Sequence, residues 1–236
     1  MEWTGEALLI GVRRHGESSV IAEAMVAGRG RYLGLVRGGR STRLAATLQA
    51  GNTVQLTWRA RIEDHLGNFT VELLHARAAE LIADPVRLYL SQLVCEHLRL
   101  LPERDPHDRL LGMALDLIDH PPDGAALAKF ELAVLDELGF GLDLESCAAT
   151  GVTSDLTHVS PRSGRAVSRA AAEPYREKLL KLPSFLVSRG NASPGDIRDA
   201  FRLSGYFLDR HVWGPRQMDV PPVRDMLLTK LMSKAE

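Results

Sequence analysis

The stretch "VRGGRSTRLAATLQAG" (Val36–Gly51) decides how the first third of this 236-residue chain folds. It holds three arginines (Arg37, Arg40, Arg43), a Gly-Gly pair and no acid, and it separates two segments with the composition of strands. Within it, "STRLAATLQ" reads as a short helix: Ser41 or Thr42 suits the cap, and Leu44 and Leu48 share one face at i, i+4. Outward from it, "EALLIGVRR", "SSVIAEAMVA" and "RYLGLVR" lie before, and "NTVQLTWRA" and "FTVELLHA" after, divided by the turn-like "HGE", "GRG", "AGN" and "DHLGN". Five strands with a short helix after the third predict an OB-fold barrel over residues 1–80. On strand count alone a five-stranded SH3-like barrel fits almost as well.

Near Asp84-Pro85 the apolar period changes from two to that of a helix, so residues 81–236 are expected to form an all-helical domain. "DPVRLYLSQLVCEHLRLL" sets Val86, Leu90, Leu93, Val94, His97 and Leu101 on one stripe, with Pro85 in the first turn. "DPHDRLLGMALDLIDH" repeats the device with Asp105 as cap and Pro106 first in the helix. "DGAALAKFELAVLDELGF" carries Leu127, Phe130, Val134 and Leu138 on one face and stops at Gly139. Helical pattern returns at "EPYREKLLKLPSFLV", then at "SPGDIRDAFRLSGYFLDRHVWG" with Ser193 as cap and Ile197, Phe201, Leu208 and Val212 inward. "PPVRDMLLTKLMSKAE" reads as a last amphipathic helix. Residues 144–172, small and polar without a sustained period, read as a long loop or compact irregular lobe. The whole is of the α+β class.

Composition, 45% apolar and 25% charged, is that of a soluble globular protein. A formal net charge of −1 gives no global attraction for a polyanion, so such a site has to come from uneven placement. Of the 29 basic residues 24 are arginine, and no lysine precedes Lys129. Cys95 lies in an apolar helical stripe, and with Cys147 as the second cysteine no disulfide scaffold is expected. The start "MEWTGEALLIGVRRHG" is the reverse of a signal peptide, and no run reaches the roughly 18 apolar residues of a membrane span, so a cytoplasmic protein is expected.

Catalytic patterns fail one after another. "GRGRYLG" imitates a dinucleotide fingerprint but leads into a strand, and no lysine follows a glycine as a phosphate loop needs. HExxH, G-x-S-x-G and paired CxxC are absent from the sequence, and the eight histidines are scattered. Asp116 and Asp119 share a helical face and read as solvated. What remains is basic: Arg13 and Arg14 after the first strand, Arg29, Arg31, Arg37, Arg40 and Arg43 between the second strand and the short helix, and Arg59 and Arg61 at the fourth strand's end. In an OB-type barrel a strand face and its flanking loops line the oligonucleotide groove, where guanidinium groups meet phosphates and Gly38-Gly39 allows close backbone approach. These nine arginines are the expected polyanion-binding residues, with a solvated loop of incidental arginines as the open alternative. The aromatics Trp3, Tyr32, Trp58 and Phe69 are few, and Trp58 reads as core more than as stacking platform. A second arginine run, Arg162, Arg165, Arg169 and Arg176, reads mainly as a solvated face.

"ALLIGVRRHGESSVIAEAM" with Gly16-Glu17 at its turn, "GRGRYLGLVRGGRSTRLAATLQAGNTVQL" with its basic loop and Leu48-Gln49 pair, and "FELAVLDELGFGLDLESCAATG" come in an order and spacing that resembles the bacterial recombination mediator family RecO over nearly the full length. The resemblance implies a non-enzymatic, nucleoid-associated protein of recombinational DNA repair that binds single- and double-stranded DNA and anneals complementary strands. It also implies RecR as partner in loading RecA onto strands coated by single-stranded DNA-binding protein (SSB), whose C-terminal tail such proteins bind in the helical domain. Many members hold zinc through two CxxC pairs. Here those positions are Cys147, Thr150, Ser168 and Ala171, and one thiol cannot make a structural tetrahedral site. A degenerate zinc-finger-like lobe over 144–172, without zinc or other cofactor, is the expectation. An OB-fold RNA-binding or protein–protein adaptor module is the alternative that keeps the same barrel.

Overall fold

Strands form where the alternating and aliphatic runs lie: β1 (Glu2–His15), β2 (Ser19–Val26), β3 (Gly30–Val36), β4 (Thr53–Arg59) and β5 (Asn68–His75). In the computed structural model, which describes residues 1–62, 65–188 and 190–233, they close into a barrel in the order β1-β2-β3-β5-β4. Asp64 of the "DHLGN" turn and the end of the terminal helix segment, from Lys234 on, fall outside the described residues. The chain divides into two compact units, Met1–Pro122 and Asp123–Glu236.

β1 closes the barrel because it is long enough to pair twice, with β4 through residues 2–8 and with β2 through residues 7–15. Following paired residues around the wall, Glu2, Arg59, Asn68, Leu35, Ile21 and Arg13, returns to β1 eleven residues further on. A bulge between Leu9 and Gly11 absorbs one of these, and the remaining stagger tilts the strands as closure demands. Ala7, Leu9, Val20, Ala22, Ala24, Val54, Leu56 and Trp58 fill the interior. The helix α1 (Thr42–Ala45) follows β3, and Leu44 and Leu48 pack on that core.

The outward side chains of β2, Ile21, Glu23 and Met25, are buried as well. The residues that cover this wall come from after the barrel, where α2 (Ala78–Ala83), α3 (Pro85–Leu98) and α4 (Asp108–Asp119) follow. Asp84 caps α3 by accepting from the Val86 amide at 2.8 Å, and Val86, Leu90, Leu93, Val94, His97 and Leu101 are all buried. α4 starts later than its sequence suggests. Asp105 is held against the barrel, where a Cβ on Gly30 would stand 1.8 Å from its carbonyl oxygen, and the Asp108 carboxylate accepts from the Gly28 amide at 2.7 Å. His107 therefore precedes the first turn in place of Asp105.

Sequence periodicity missed a small hub. Asn52, with no exposed surface, donates to the carbonyls of Ala46 (2.9 Å) and Thr47 (3.1 Å) and accepts from the Arg77 and Ala78 amides at 2.8 and 3.2 Å. The buried Arg77 guanidinium reaches Thr53 Oγ1 and both oxygens of Asp119. Asp119 is thus exposed, as its sequence suggests, and also an anchor of α4 through Arg77. Its carboxyl lies below the usual aspartate range, held there by the Arg77 hydrogen bond against the opposing effect of burial.

The second unit is not all helical. It begins with α5 (Gly124–Glu137), whose Leu127, Phe130 and Val134 are buried and which ends at Gly139 with φ +83°. A three-stranded sheet follows, ordered β7-β6-β8 from β6 (Leu156–Val159), β7 (Ala166–Ser168) and β8 (Leu180–Lys181), with α6 (Arg169–Ala172) after β7. Strands of two to four residues are too short to show a period. The helix expected over "EPYREKLLKLPSFLV" is replaced by a 3-10 turn (Glu173–Lys178), β8 and a second 3-10 turn (Ser184–Leu186). Pro183 holds Leu182 extended, and the Leu182 amide bonds to the Thr157 carbonyl at 2.9 Å.

α7 (Pro194–Leu208) opens with Ser193 and Asp196 capping each other and runs on into a π-helical turn, Asp209–Trp213. Phe201, Leu208 and Val212 face inward as expected. α8 (Pro222–Ser233) is tied down by Arg224, whose guanidinium meets the fully buried Glu131 carboxylate at 2.8 and 2.9 Å and the Phe201 carbonyl at 2.7 Å.

Candidate nucleic-acid interface

Register brings the backbone positions of five of the nine arginines to one end of the barrel, with Arg13 and Arg14 on opposite faces of β1. Arg13 and Arg14 pair with Ile21 and Val20 at the tip of the β1–β2 hairpin, and Val20 pairs in turn with Val36 at the end of β3. The loop leaving β3 therefore starts beside the hairpin turn, and its contacts fix it there. The Arg40 amide donates to the Ser18 carbonyl at 3.1 Å, and its guanidinium donates to the carbonyls of Glu17 and Gly16. Arg37 and Arg43 flank it on the same loop and on α1. All five side chains are exposed, and among the described residues none forms an ion pair. Gly38 has φ +64°, open to glycine, whereas Gly39 serves packing: a Cβ there would stand 2.6 Å from Val20 Cγ2. The Gly-Gly pair shapes the loop and does not by itself make room for a ligand.

The other four separate. Arg59 lies on the same belt of paired residues as Arg13, four strand spacings or roughly 19 Å along it, and forms an exposed 2.7 Å pair with Glu2; Arg61 is exposed just beyond. Arg59 holds the Glu2 carboxyl below its ordinary range, chiefly through that hydrogen bond. Arg29 sits after β2, with its guanidinium carbon 4.9 Å above the Trp3 ring. Arg31 is not available to a strand. It pairs with Glu23, donates to the Leu101 carbonyl at 2.8 Å and lies 3.6 Å from Glu103, joining the barrel wall to the segment after α3.

That brace lies on the outer wall of the barrel. The outer face of β2 is closed by Arg31, Arg99 and their shared partner Glu23, leaving the loops at the hairpin end as the open basic surface. Sequence reasoning missed Arg99, which ends α3 far along the chain. Its side chain is half exposed and lines a small hollow with Gly11, Val12, Arg13, Ile21 and Leu33. The four barrel aromatics pack together, Trp3 on Tyr32 at 5.0 Å and on Trp58 at 5.9 Å, and Trp58 is 1% exposed. They make core and no stacking platform.

In the lobe, Arg165 pairs with Asp143 at 2.9 Å and Arg169 with Asp155 at 3.1 Å, so half of the second arginine run is engaged. Cys147 Sγ accepts from the Ser168 amide at 3.3 Å, while the Cys147 amide and carbonyl bond to Val152 and Gly151 at 2.8 Å. Cys147, Thr150, Ser168 and Ala171 offer one thiol, and among the described residues no cluster of His, Cys, Asp and Glu side chains could hold a metal. This donor set does not fit a structural zinc ion. Hydrogen bonds and burial of Cys147 hold the turn.

Comparison with known proteins agrees with this architecture. Residues 1–77 match the family model described as Recombination protein O N terminal, and residues 82–218 match Recombination protein O C terminal. The DNA repair protein RecO of Sinorhizobium medicae (strain WSM419) is 51% identical over 230 residues, 95% of this chain and 92% of that protein. The RecO protein of Chelativorans sp. (strain BNC1) is 53% identical over 239 residues, 98% and 96% of the two chains. That of Brucella abortus (strain 2308) is 51% identical over 234 residues, 97% and 95%. The molecule is a barrel-plus-helix protein of the DNA repair and recombination class. The chain belongs to the RecO family. Among the described residues no helix is long and apolar enough to cross a membrane.

Proposed function

We propose that the barrel is of OB type and that its hairpin end binds DNA through Arg13, Arg14, Arg37, Arg40 and Arg43, without catalytic chemistry. The strand order, the tilt and the helix between β3 and β4 support the OB reading. One observation carries the DNA reading: five exposed arginines, from the end of β1, the loop after β3 and α1, lie at one end of the barrel with no carboxylate partner among the described residues, in a chain of net charge −1. Arg61 adds an exposed guanidinium, whereas Arg59 and Arg99 are paired with Glu2 and Glu23 and stand outside the proposed contact.

Such a surface suits annealing. Two polyanions approach once their phosphates are neutralised, and bases stay free to pair where no aromatic platform seizes them. In this reading the protein anneals single strands, binds duplex, and with RecR helps RecA load onto SSB-coated strands in the cytoplasm at the nucleoid, its second unit taking the SSB tail. The test is annealing of SSB-coated complementary strands by the wild type and by the triple variant Arg37→Ala, Arg40→Ala, Arg43→Ala, with binding measured across salt. About five phosphate contacts give a slope of log affinity against log salt of roughly −3.5 for single strands, and the variant roughly −1.5. A wild-type slope near zero would transfer the barrel to the adaptor class.

A further inference from the structure

A ladder of rings climbs out of the second unit. Phe207 on α7 is 2% exposed; His211, in the π-helical turn, stacks on it at 6.0 Å and 5°; Phe140, after Gly139, stacks on His211 at 4.9 Å and 10° and is 38% exposed. π-helical turns recur at functional sites, and this one ends with the Gly214 amide on the Asp209 carbonyl at 2.8 Å. Burial and the Arg210 charge hold the His211 pKa below its ordinary value, so the middle ring stays neutral and stacks as an aromatic.

Cations stand beside the ladder. Arg210 donates to the Tyr206 hydroxyl at 3.3 Å and to the Pro161 carbonyl at 2.5 Å, which brings in the β6–β7 hairpin turn and its exposed Arg162. Gly164 of that turn lies close to Phe207: a Cβ there would be 3.8 Å from the ring. Acids lie nearby too: Asp136 packs against Gly141 beside Phe140 and Glu137 ends α5, while the carboxylate of Asp143 is taken by Arg165 and Asp209 is the acid of the π turn itself.

We propose that Phe140 is a stacking platform for one base of a single DNA strand, with Arg210 and Arg162 placed for the adjoining phosphate. The inference rests on the DNA reading above and adds a second contact of a different kind. Every base has a π face that a flat exposed ring accepts, and guanidinium groups suit phosphate. In the barrel Tyr32, Trp58 and Phe69 are buried, and the partly buried Trp3 stacks on Trp58 and is covered by Arg29.

The test uses the full chain and two labelled strands of about 20 nucleotides, longer than the roughly 4–16 that one OB-type site covers, one of deoxythymidine and one abasic. Phe140→Ala should weaken binding of the thymidine strand about tenfold, leave the abasic strand unchanged and leave the salt slope unchanged, since no charge is removed. Phe140→Trp should retain the wild-type affinity, which shows that the ring and not the fold is being read. Equal weakening on both strands, or none on either, overturns the proposal. If Phe140→Ala is silent while the arginine triple lowers both affinity and slope, the platform falls and the barrel site stands. If the wild type binds neither strand, the DNA reading itself falls. Should an acidic aromatic peptide, and not the thymidine strand, lose affinity on Phe140→Ala, the ladder is a peptide site and the proposal is wrong.

Discussion

Arg77 and Arg224 differ from Arg37 and Arg43 in everything except chemistry. The first two end on buried or half-buried carboxylates and on carbonyls, while the second two end in solvent. Each buried guanidinium fixes a helix, α4 in the first unit and α8 in the second. An arginine is therefore available to a polyanion only where the fold withholds a carboxylate from it, and Arg31 shows that sequence neighbours can fall on opposite sides of that line.

The contrast breaks if the two groups respond alike to mutation, and the strongest challenge is Arg224→Met. It leaves the Glu131 carboxylate buried without its cation and should cost about 3–5 kcal/mol, read as a fall in the urea midpoint. Arg77→Met should cost less, about 1–3 kcal/mol, because its partner Asp119 is one-third exposed and water can take part of the loss. The same pair sets an acid limb. Since the folded Asp119 carboxyl is depressed, its contribution is complete above the ordinary value of 3.8 and fades as pH falls through the lower folded one. Denaturation midpoints measured downward from pH 5 should fall less steeply in Arg77→Met than in the wild type. The triple variant at Arg37, Arg40 and Arg43 completes the series, with a stability loss of about 0.5–1 kcal/mol that comes from the Arg40 bonds to the Gly16 and Glu17 carbonyls. A loss as large as that of Arg77→Met would show that the loop arginines are braces too.

The barrel was legible because its strands are seven to fourteen residues long and carry their own periods. The short helix was legible through Leu44 and Leu48, and the start of α3 through Asp84-Pro85. Position in sequence also brought out Arg37, Arg40 and Arg43, which lie within seven residues on the loop after β3 and on α1. Pairing across strands is what joins them to Arg13 and Arg14, and no local pattern reveals which arginine will meet a carboxylate from a distant segment, as Arg31 and Arg77 do. The lobe's strands escaped because their stability comes from neighbours: Cys147, Ser168 and Leu182 each bond far from their own segment.

Arg40 has a kinetic meaning beyond its charge. By holding the Gly16 and Glu17 carbonyls it adds a side-chain tie between two loops that its own amide already joins through the Ser18 carbonyl. On the proposed DNA reading, a strand arriving there would meet one ordered rim, and the freedom lost at each loop, of order 0.5–1.5 kcal/mol per immobilised side chain, would be surrendered during folding and not at encounter. Capture at that rim should accordingly be quick and little dependent on any rearrangement of the barrel.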